Sequence, residues 1–130
     1  MSTAKIKSVN PVLPAKDVAA TVSFFVNKLG FARIFQDSPT NPKYAGIRRQ
    51  AVELHIQWHD EAEWAAVERP SLRFDVEDLE GLLEELLEEF KNREAVSPEV
   101  SIRITEWGSK EFAFFDPNKN GLTFYTDLEA

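Results

Sequence analysis

The octapeptide Ala51-Val52-Glu53-Leu54-His55-Ile56-Gln57-Trp58 alternates with a period of two. Val52, Leu54, Ile56 and Trp58 share one side of an extended chain; Glu53, His55 and Gln57 share the other. Side chains of a pleated strand point alternately up and down, so this pattern describes a strand with one packed face and one wetter face. The polar face sets a carboxylate, an imidazole and an amide in one row. Such a row either lines a ligand groove or faces solvent.

Upstream, residues 44–48 form a second strand, paired with 51–59 as a hairpin around Arg49-Gln50. Before it, residues 7–13 read as a strand ended by Pro14. Asp17 stands where a helix N-cap belongs, Val18, Val22, Phe25, Val26 and Leu29 recur at helical spacing, and Gly30 suits the left-handed position after the last turn. Residues 31–36 are a strand, followed by a loop at Asp37-Ser38-Pro39-Thr40-Asn41-Pro42.

Downstream, residues 59–69 read as a charged connector and 70–76 as a strand. Asp78 is a second N-cap, with Leu79, Leu82, Leu83, Leu86, Leu87 and Phe90 forming an apolar stripe. The glutamates between them read as the solvated face of that helix. A loop covers 92–100, three strands cover 101–107, 110–115 and 122–126, and Asp116-Pro117-Asn118-Lys119-Asn120-Gly121 makes the last hairpin turn.

The halves repeat. At one constant offset Asp17 falls on Asp78, and Val18, Val22, Phe25, Val26 and Leu29 fall on Leu79, Leu83, Leu86, Leu87 and Phe90. Each helix follows one strand and precedes three. The expected fold is α+β: one domain over 1–130, made of two βαβββ modules (about 5–68 and 69–130) whose curled mixed sheets carry their helices outside. Glu53, His55 and Gln57 then line a concavity.

Composition narrows the function. The 130 residues include 22 acidic and 15 Lys or Arg side chains, for a net charge of −7. Nucleic acid needs a basic footprint, so it is not an expected partner. Acidity favours cationic small molecules, though it serves solubility equally well. With no cysteine there is no disulfide, thiolate metal site or cysteine nucleophile. No run is apolar enough to span a bilayer and Met1-Ser2-Thr3-Ala4-Lys5 lacks a leader pattern, so no membrane partner and a cytoplasmic location are expected. No nucleophile elbow, phosphate-cradling glycine loop or zinc-protease motif is present.

Three stretches carry a resemblance: Val12-Leu13-Pro14-Ala15-Lys16-Asp17-Val18 with Phe24-Phe25 and Leu29-Gly30-Phe31; Tyr44-Ala45-Gly46-Ile47-Arg48-Arg49 leading into Val52-Glu53-Leu54-His55; and Trp107-Gly108-Ser109-Lys110-Glu111-Phe112-Ala113-Phe114 with Asp116-Pro117-Asn118-Lys119-Asn120-Gly121. On these the chain resembles the vicinal oxygen chelate superfamily, which holds glyoxalase I, extradiol dioxygenases, fosfomycin-resistance transferases and bleomycin resistance proteins. The third stretch is similar to bleomycin resistance proteins in particular.

The resemblance implies a test for metal. Enzymes of this superfamily hold a divalent ion with four side chains, two from each half. The corresponding positions here are Asn10, Glu53, Ser71 and Thr123. Only Glu53 is a carboxylate, whereas a divalent catalytic centre needs about three protein ligands and an open position. His55 could help only from beside Glu53, and His59 lies outside that register. The expectation is no metal, no cofactor and no catalytic residue. That is also what resemblance to bleomycin resistance proteins implies, since they bind drug without such a centre. A metal-dependent glyoxalase- or dioxygenase-like enzyme, and a binding module for an unrelated metabolite, stay open as alternatives.

The resemblance further implies a homodimer, and a bleomycin-like ligand: large, cationic and carrying flat heteroaromatic rings. A binder of it needs aromatic plates and negative charge in one groove, each aromatic–cation contact contributing about 0.5–2 kcal/mol. The candidate plates are Trp64, Trp107, Phe115 and Tyr125. The candidate polar groups are Glu53, His55, Gln57, Asp37, Asp60, Glu61 and Glu63. Trp58 shares parity with Leu54 and reads as core.

Overall fold

The computed structural model describes residues 2–92 and 100–129. Eleven elements follow in the order β1 (Val12–Ala15), α1 (Val18–Leu29), β2 (Ala32–Gln36), β3 (Tyr44–Arg49), β4 (Val52–Trp58), α2 (Glu61–Ala66), β5 (Ser71–Asp75), α3 (Leu79–Asn92), β6 (Arg103–Ile104), β7 (Ser109–Phe115) and β8 (Gly121–Asp127). They build two four-stranded mixed sheets, ordered β1-β4-β3-β2 and β5-β8-β7-β6. In each, the first strand lies parallel to the last strand of its own module and the other pairings are antiparallel. The βαβββ repeat legible in the sequence is the architecture.

Local chemistry fixes the helices. The Asp17 carboxylate accepts from the Ala20 amide at 3.0 Å, closing the free N-terminus of α1. Gly30 takes φ 69°, where a side chain is strained, and ends it. Asp78 accepts from the Gly81 amide at 3.1 Å and itself adopts φ 57°, a conformation that aspartate tolerates better than most residues.

One core runs through both modules. Phe25, Ile47, Leu54 and Ile56 of the first and Leu79, Leu86, Phe112 and Leu122 of the second are fully buried in the same cluster. Each contributes about 1.5–3 kcal/mol. The Phe24 and Phe90 rings meet edge to face between α1 and α3, centroids 6.3 Å apart.

A buried polar tie joins the modules. In the turn between β7 and β8, the Asp116 carboxylate accepts from the amides of Asn118 at 2.8 Å and Asn120 at 2.9 Å, and from Asn120 Nδ2 at 2.8 Å. The turn then reaches the β1–α1 corner. Asn120 Nδ2 donates to the Pro14 carbonyl at 3.2 Å, Asn118 Nδ2 donates to Thr21 Oγ1 at 2.9 Å, and the Lys16 amide donates to Asn118 Oδ1 at 3.2 Å.

Several boundaries differ from those the sequence predicts. The first strand is Val12–Ala15, not 7–13, and Pro14 lies inside it. β1 is an edge strand, so a residue without an amide proton is tolerated there. Gln50, at φ 49°, forms the β3–β4 turn with Ala51, one step beyond the expected pair. The apolar side of β4 is buried at Leu54 and Ile56, but Val52 is exposed at the hairpin end. Trp58 is half-buried, packed against the core with Lys43 Nζ 4.4 Å from its ring centroid. The connector 59–69 contains α2, held by a capping box between Asp60 and Glu63. The strand expected over 101–107 shrinks to Arg103–Ile104, because the chain turns at Trp107-Gly108, with Gly108 at φ 90°. Most of the loop placed at 92–100 lies outside the described residues. On α3, Glu80, Glu84, Glu85 and Glu88 are exposed, as a solvated face requires, and Glu85 and Glu80 also pair with Arg49 and Lys110 across elements.

Candidate functional site

On the face of the first sheet turned away from the core, the polar row of β4 meets β3 and β2. Register places Gly46 opposite His55, Tyr44 opposite Gln57 and Arg48 opposite Glu53. Gly46 has no side chain, and the Phe35 ring fills the space: a Cβ there would come within 2.1 Å of Phe35 Cε2. Phe35 stacks on Tyr44 with centroids 6.1 Å apart and meets His55 edge-on at 5.2 Å.

These groups are wired in series. Tyr44 Oη lies 2.7 Å from His55 Nδ1, and His55 Nε2 lies 2.7 Å from Glu53 Oε2. Arg48 donates to Glu53 Oε1 at 2.6 Å. A carboxylate only accepts, so a neutral His55 carries its proton on Nε2, and Nδ1 accepts from the Tyr44 hydroxyl. The His55 hydrogen bond first, then Arg48, hold the Glu53 carboxyl below its usual pKa range. The row can orient a polar ligand, and it offers the partly exposed Phe35 as a stacking surface beside it.

The second sheet carries a different set. The Glu111 side chain is 1% exposed. It accepts from Arg103 at 2.8 Å, from Ser109 Oγ at 3.1 Å and from Arg73 at 3.2 Å. Burial pushes its pKa up, but these three donors outweigh that and leave it lowered. The Arg73 guanidinium lies 4.4 Å over the Tyr125 ring and that of Arg103 lies 5.9 Å from the Trp107 ring.

The sequence-predicted residues thus divide. Glu53 and His55 join Tyr44, Phe35 and Arg48; Tyr125 and Trp107 join Arg73 and Arg103. Among the described residues, no hydrogen bond, ion pair or ring contact links the first group to the second. Gln57 is exposed on the first group's strand. Trp107 is 65% exposed and Phe115, at the end of β7, 68%. Asp37 organises its own loop, accepting from the amides of Lys43 at 2.9 Å and Tyr44 at 3.3 Å. Asp60 caps α2, Glu61 is exposed in its first turn, and Glu63 closes the capping box. Trp64 on that helix holds Arg69 at 3.8 Å from its ring centroid and Lys16 at 5.3 Å. Phe35, Tyr44 and Arg48 were not among the expected site residues. The signal for them was Gly46, a gap in β3 at the height of His55.

The chain matches the family described as Glyoxalase/Bleomycin resistance protein/Dioxygenase superfamily over residues 5–124. It belongs to that superfamily. It is similar to the bleomycin resistance protein of Geobacillus stearothermophilus, 22% identical over 135 residues, covering 92% of this chain and 96% of the relative. Among solved structures, the bleomycin-binding protein of the bleomycin producer Streptomyces verticillus, complexed with copper(II)-bleomycin, is 32% identical with a TM-score of 0.71, covering 98% of this chain and 100% of that one. A glyoxalase-related enzyme from Clostridium phytofermentans shares the fold at a TM-score of 0.74 and 16% identity, covering 98% and 100%.

The metal positions that the resemblance implies hold few charged ligands. Asn10, Ser71 and Thr123 are neutral oxygen donors, and both Glu53 oxygens already accept from Arg48 and His55. Glu53 lies on the first sheet, Ser71 and Thr123 on the second. Among the described residues no three His, Asp or Glu side chains converge as a ligand set. This donor set does not fit the superfamily's divalent ion.

Proposed function

We propose that this superfamily member binds a bleomycin-type drug without transforming it, as a homodimer whose grooves lie between the two copies. The observation that carries the reading is the state of Glu53. At the one superfamily ligand position that keeps a carboxylate, both oxygens are engaged by the protein's own His55 and Arg48. The position is built as part of a hydrogen-bonded surface, which suits recognition. The 32% identity to a protein solved with copper(II)-bleomycin supports the ligand class.

The division of the site supports the dimer. Phe35, Tyr44, Glu53 and His55 lie on one sheet, Tyr125 on the other, and Trp107 in the β6–β7 turn at that second sheet's end. A large ligand meets both sets when a second copy brings its second sheet opposite the first. The arm before β1 adds apolar surface for such a partner, with Ile6 97% and Val9 89% exposed. A two-fold dimer then has two equivalent grooves.

The test is a titration with metal-free bleomycin, followed by tryptophan fluorescence and heat, with sedimentation for the assembly state. Saturable binding at one drug per chain, tighter than micromolar (beyond about −8 kcal/mol) and weakened by Glu53→Gln and Trp107→Ala, is the expected result. No binding at millimolar drug overturns the drug reading and leaves an unrelated metabolite as the ligand. A monomer that binds fully overturns the shared groove.

A further inference from the structure

We infer that the crevice between the two modules is a second binding site, for a compact aromatic cation. It lies away from the polar row of β4, on the opposite side of the first sheet. Its volume is about 680 Å³, within the roughly 300–1,000 Å³ of small-molecule sites. Its walls come from both modules: the end of α1 and the β3–β4 hairpin on one side, the end of β5 and the first half of α3 on the other.

The floor is apolar and largely aromatic. Phe31, Phe74 and Phe124 line it together with Val52 and Leu82. Phe74 and Phe124 stack at 4.8 Å with their planes 14° apart, so two rings share one orientation. Val52 belongs to the packed side of β4 by parity, yet it is exposed because it borders this space. A flat apolar guest recovers the burial that Val52 and Leu82 lack.

The rim selects the charge. Among the described residues Arg49 is its single cation, against the carboxylates of Asp75, Glu77, Asp78 and Glu85. Arg49 is neutralised where it stands: it donates to both Glu85 oxygens, at 2.7 and 3.1 Å, and to the Leu29 carbonyl at 2.8 Å. Asp78 answers the N-terminus of α3. Asp75 and Glu77 are exposed and have no ion-pair partner among the described residues. A cation at the mouth meets two uncommitted carboxylates over aromatic faces, and an anion of the same size meets repulsion.

Proflavine, a three-ring aromatic cation, is a suitable probe, titrated into the full chain by fluorescence anisotropy. One saturable site per chain is expected. Leu82→Trp, which fills the crevice, and Glu77→Lys, which reverses an exposed rim charge, each weaken it by roughly tenfold or more. The aromatic anion 1-anilinonaphthalene-8-sulfonate binds at least about tenfold more weakly. Glu53→Gln leaves proflavine affinity unchanged, and Glu77→Lys leaves bleomycin affinity unchanged, so this site and the sheet-face site fail separately. Should Leu82→Trp not fold, the exposed Glu77→Lys still decides. Absence of saturation, equal binding of the anion, or affinity that responds to Glu53→Gln but not to Glu77→Lys overturns the proposal.

Discussion

Tyr44 Oη stands 2.7 Å from His55 Nδ1, on the ring nitrogen opposite the one that faces Glu53. The phenol, the imidazole, the carboxylate and Arg48 therefore satisfy one another in a line, each using a different atom of its neighbour. A line of this kind holds its members in one geometry before any ligand arrives, which lowers the ordering cost of binding.

Tyr44→Phe tests that pre-organisation. The fold keeps its ring stack with Phe35, and only the hydroxyl is lost. Bleomycin affinity should fall by roughly three- to tenfold, the range of one hydrogen bond of about 0.5–1.5 kcal/mol. Carbon and nitrogen NMR of His55 should show the neutral ring's proton on Nε2 in the parent protein.

The depressed Glu53 carboxyl fixes a sign. Its ordinary value is 4.5 and the folded value is lower, so the folded state binds fewer protons than the unfolded chain between the two. The resulting stability is fully present above pH 4.5 and disappears as pH falls through the folded value. The stability difference between the parent and Glu53→Gln should therefore shrink progressively below pH 4.5. His55→Ala should return the Glu53 titration, followed by carboxyl carbon shifts, toward 4.5.

Gly46→Ala separates binding from folding. The new Cβ would overlap Phe35 Cε2 at 2.1 Å, so the ring must swing away. Phe35 is partly exposed and can move, which keeps the stability cost to about 1 kcal/mol. Losing its stack on Tyr44 and its edge contact with His55 should cost drug affinity about tenfold, about 1.4 kcal/mol. A variant that melts normally and still binds at full strength would place the groove elsewhere.

What the sequence made legible follows from periodicity. The alternation of residues 51–58, the Asp17 and Asp78 caps and the repeated apolar stripe carry local signals, and they yield the two βαβββ modules directly. Less legible were features that depend on neighbours distant in sequence. Phe35 reaches His55 only through register across two strand pairs and a bulge between Arg33 and Phe35. Asp60 and Glu63 look like groove charges until Glu61–Ala66 is seen to be helical, when they become a capping box. Trp64 and Tyr125 read as open plates, but Arg69 and Arg73 lie over their rings. Composition gives the acid excess and cannot show which arginines cover which aromatics.

Asn120→Ala tests the tie between modules. It removes donations to Pro14 O and Asp116 Oδ2 from a fully buried site and leaves the Pro14 carbonyl without that donor. Denaturant melts should show a loss of about 1–3 kcal/mol. Because the turn bridges the β7–β8 hairpin to the β1–α1 corner, amide exchange should speed up in β1 as well as in the turn.

Glu111 is the corresponding test on the second sheet. Glu111→Gln keeps the shape but removes the charge that holds Arg73 and Arg103. Arg73 is then free to leave the Tyr125 ring, and Arg103 the Trp107 ring, where both now stand. Two outcomes discriminate the role of this cluster. If the arginines merely neutralise a buried carboxylate, the variant loses stability by about 1–3 kcal/mol and drug affinity is unchanged. If they set the orientation of Tyr125 and Trp107 for a ligand, affinity also falls about tenfold, and Arg103→Lys alone lowers it too, since an ammonium keeps the charge and lacks the planar fork. The second outcome is expected, because the Arg73 and Arg103 side chains, 46% and 66% exposed, stand against the Tyr125 and Trp107 rings.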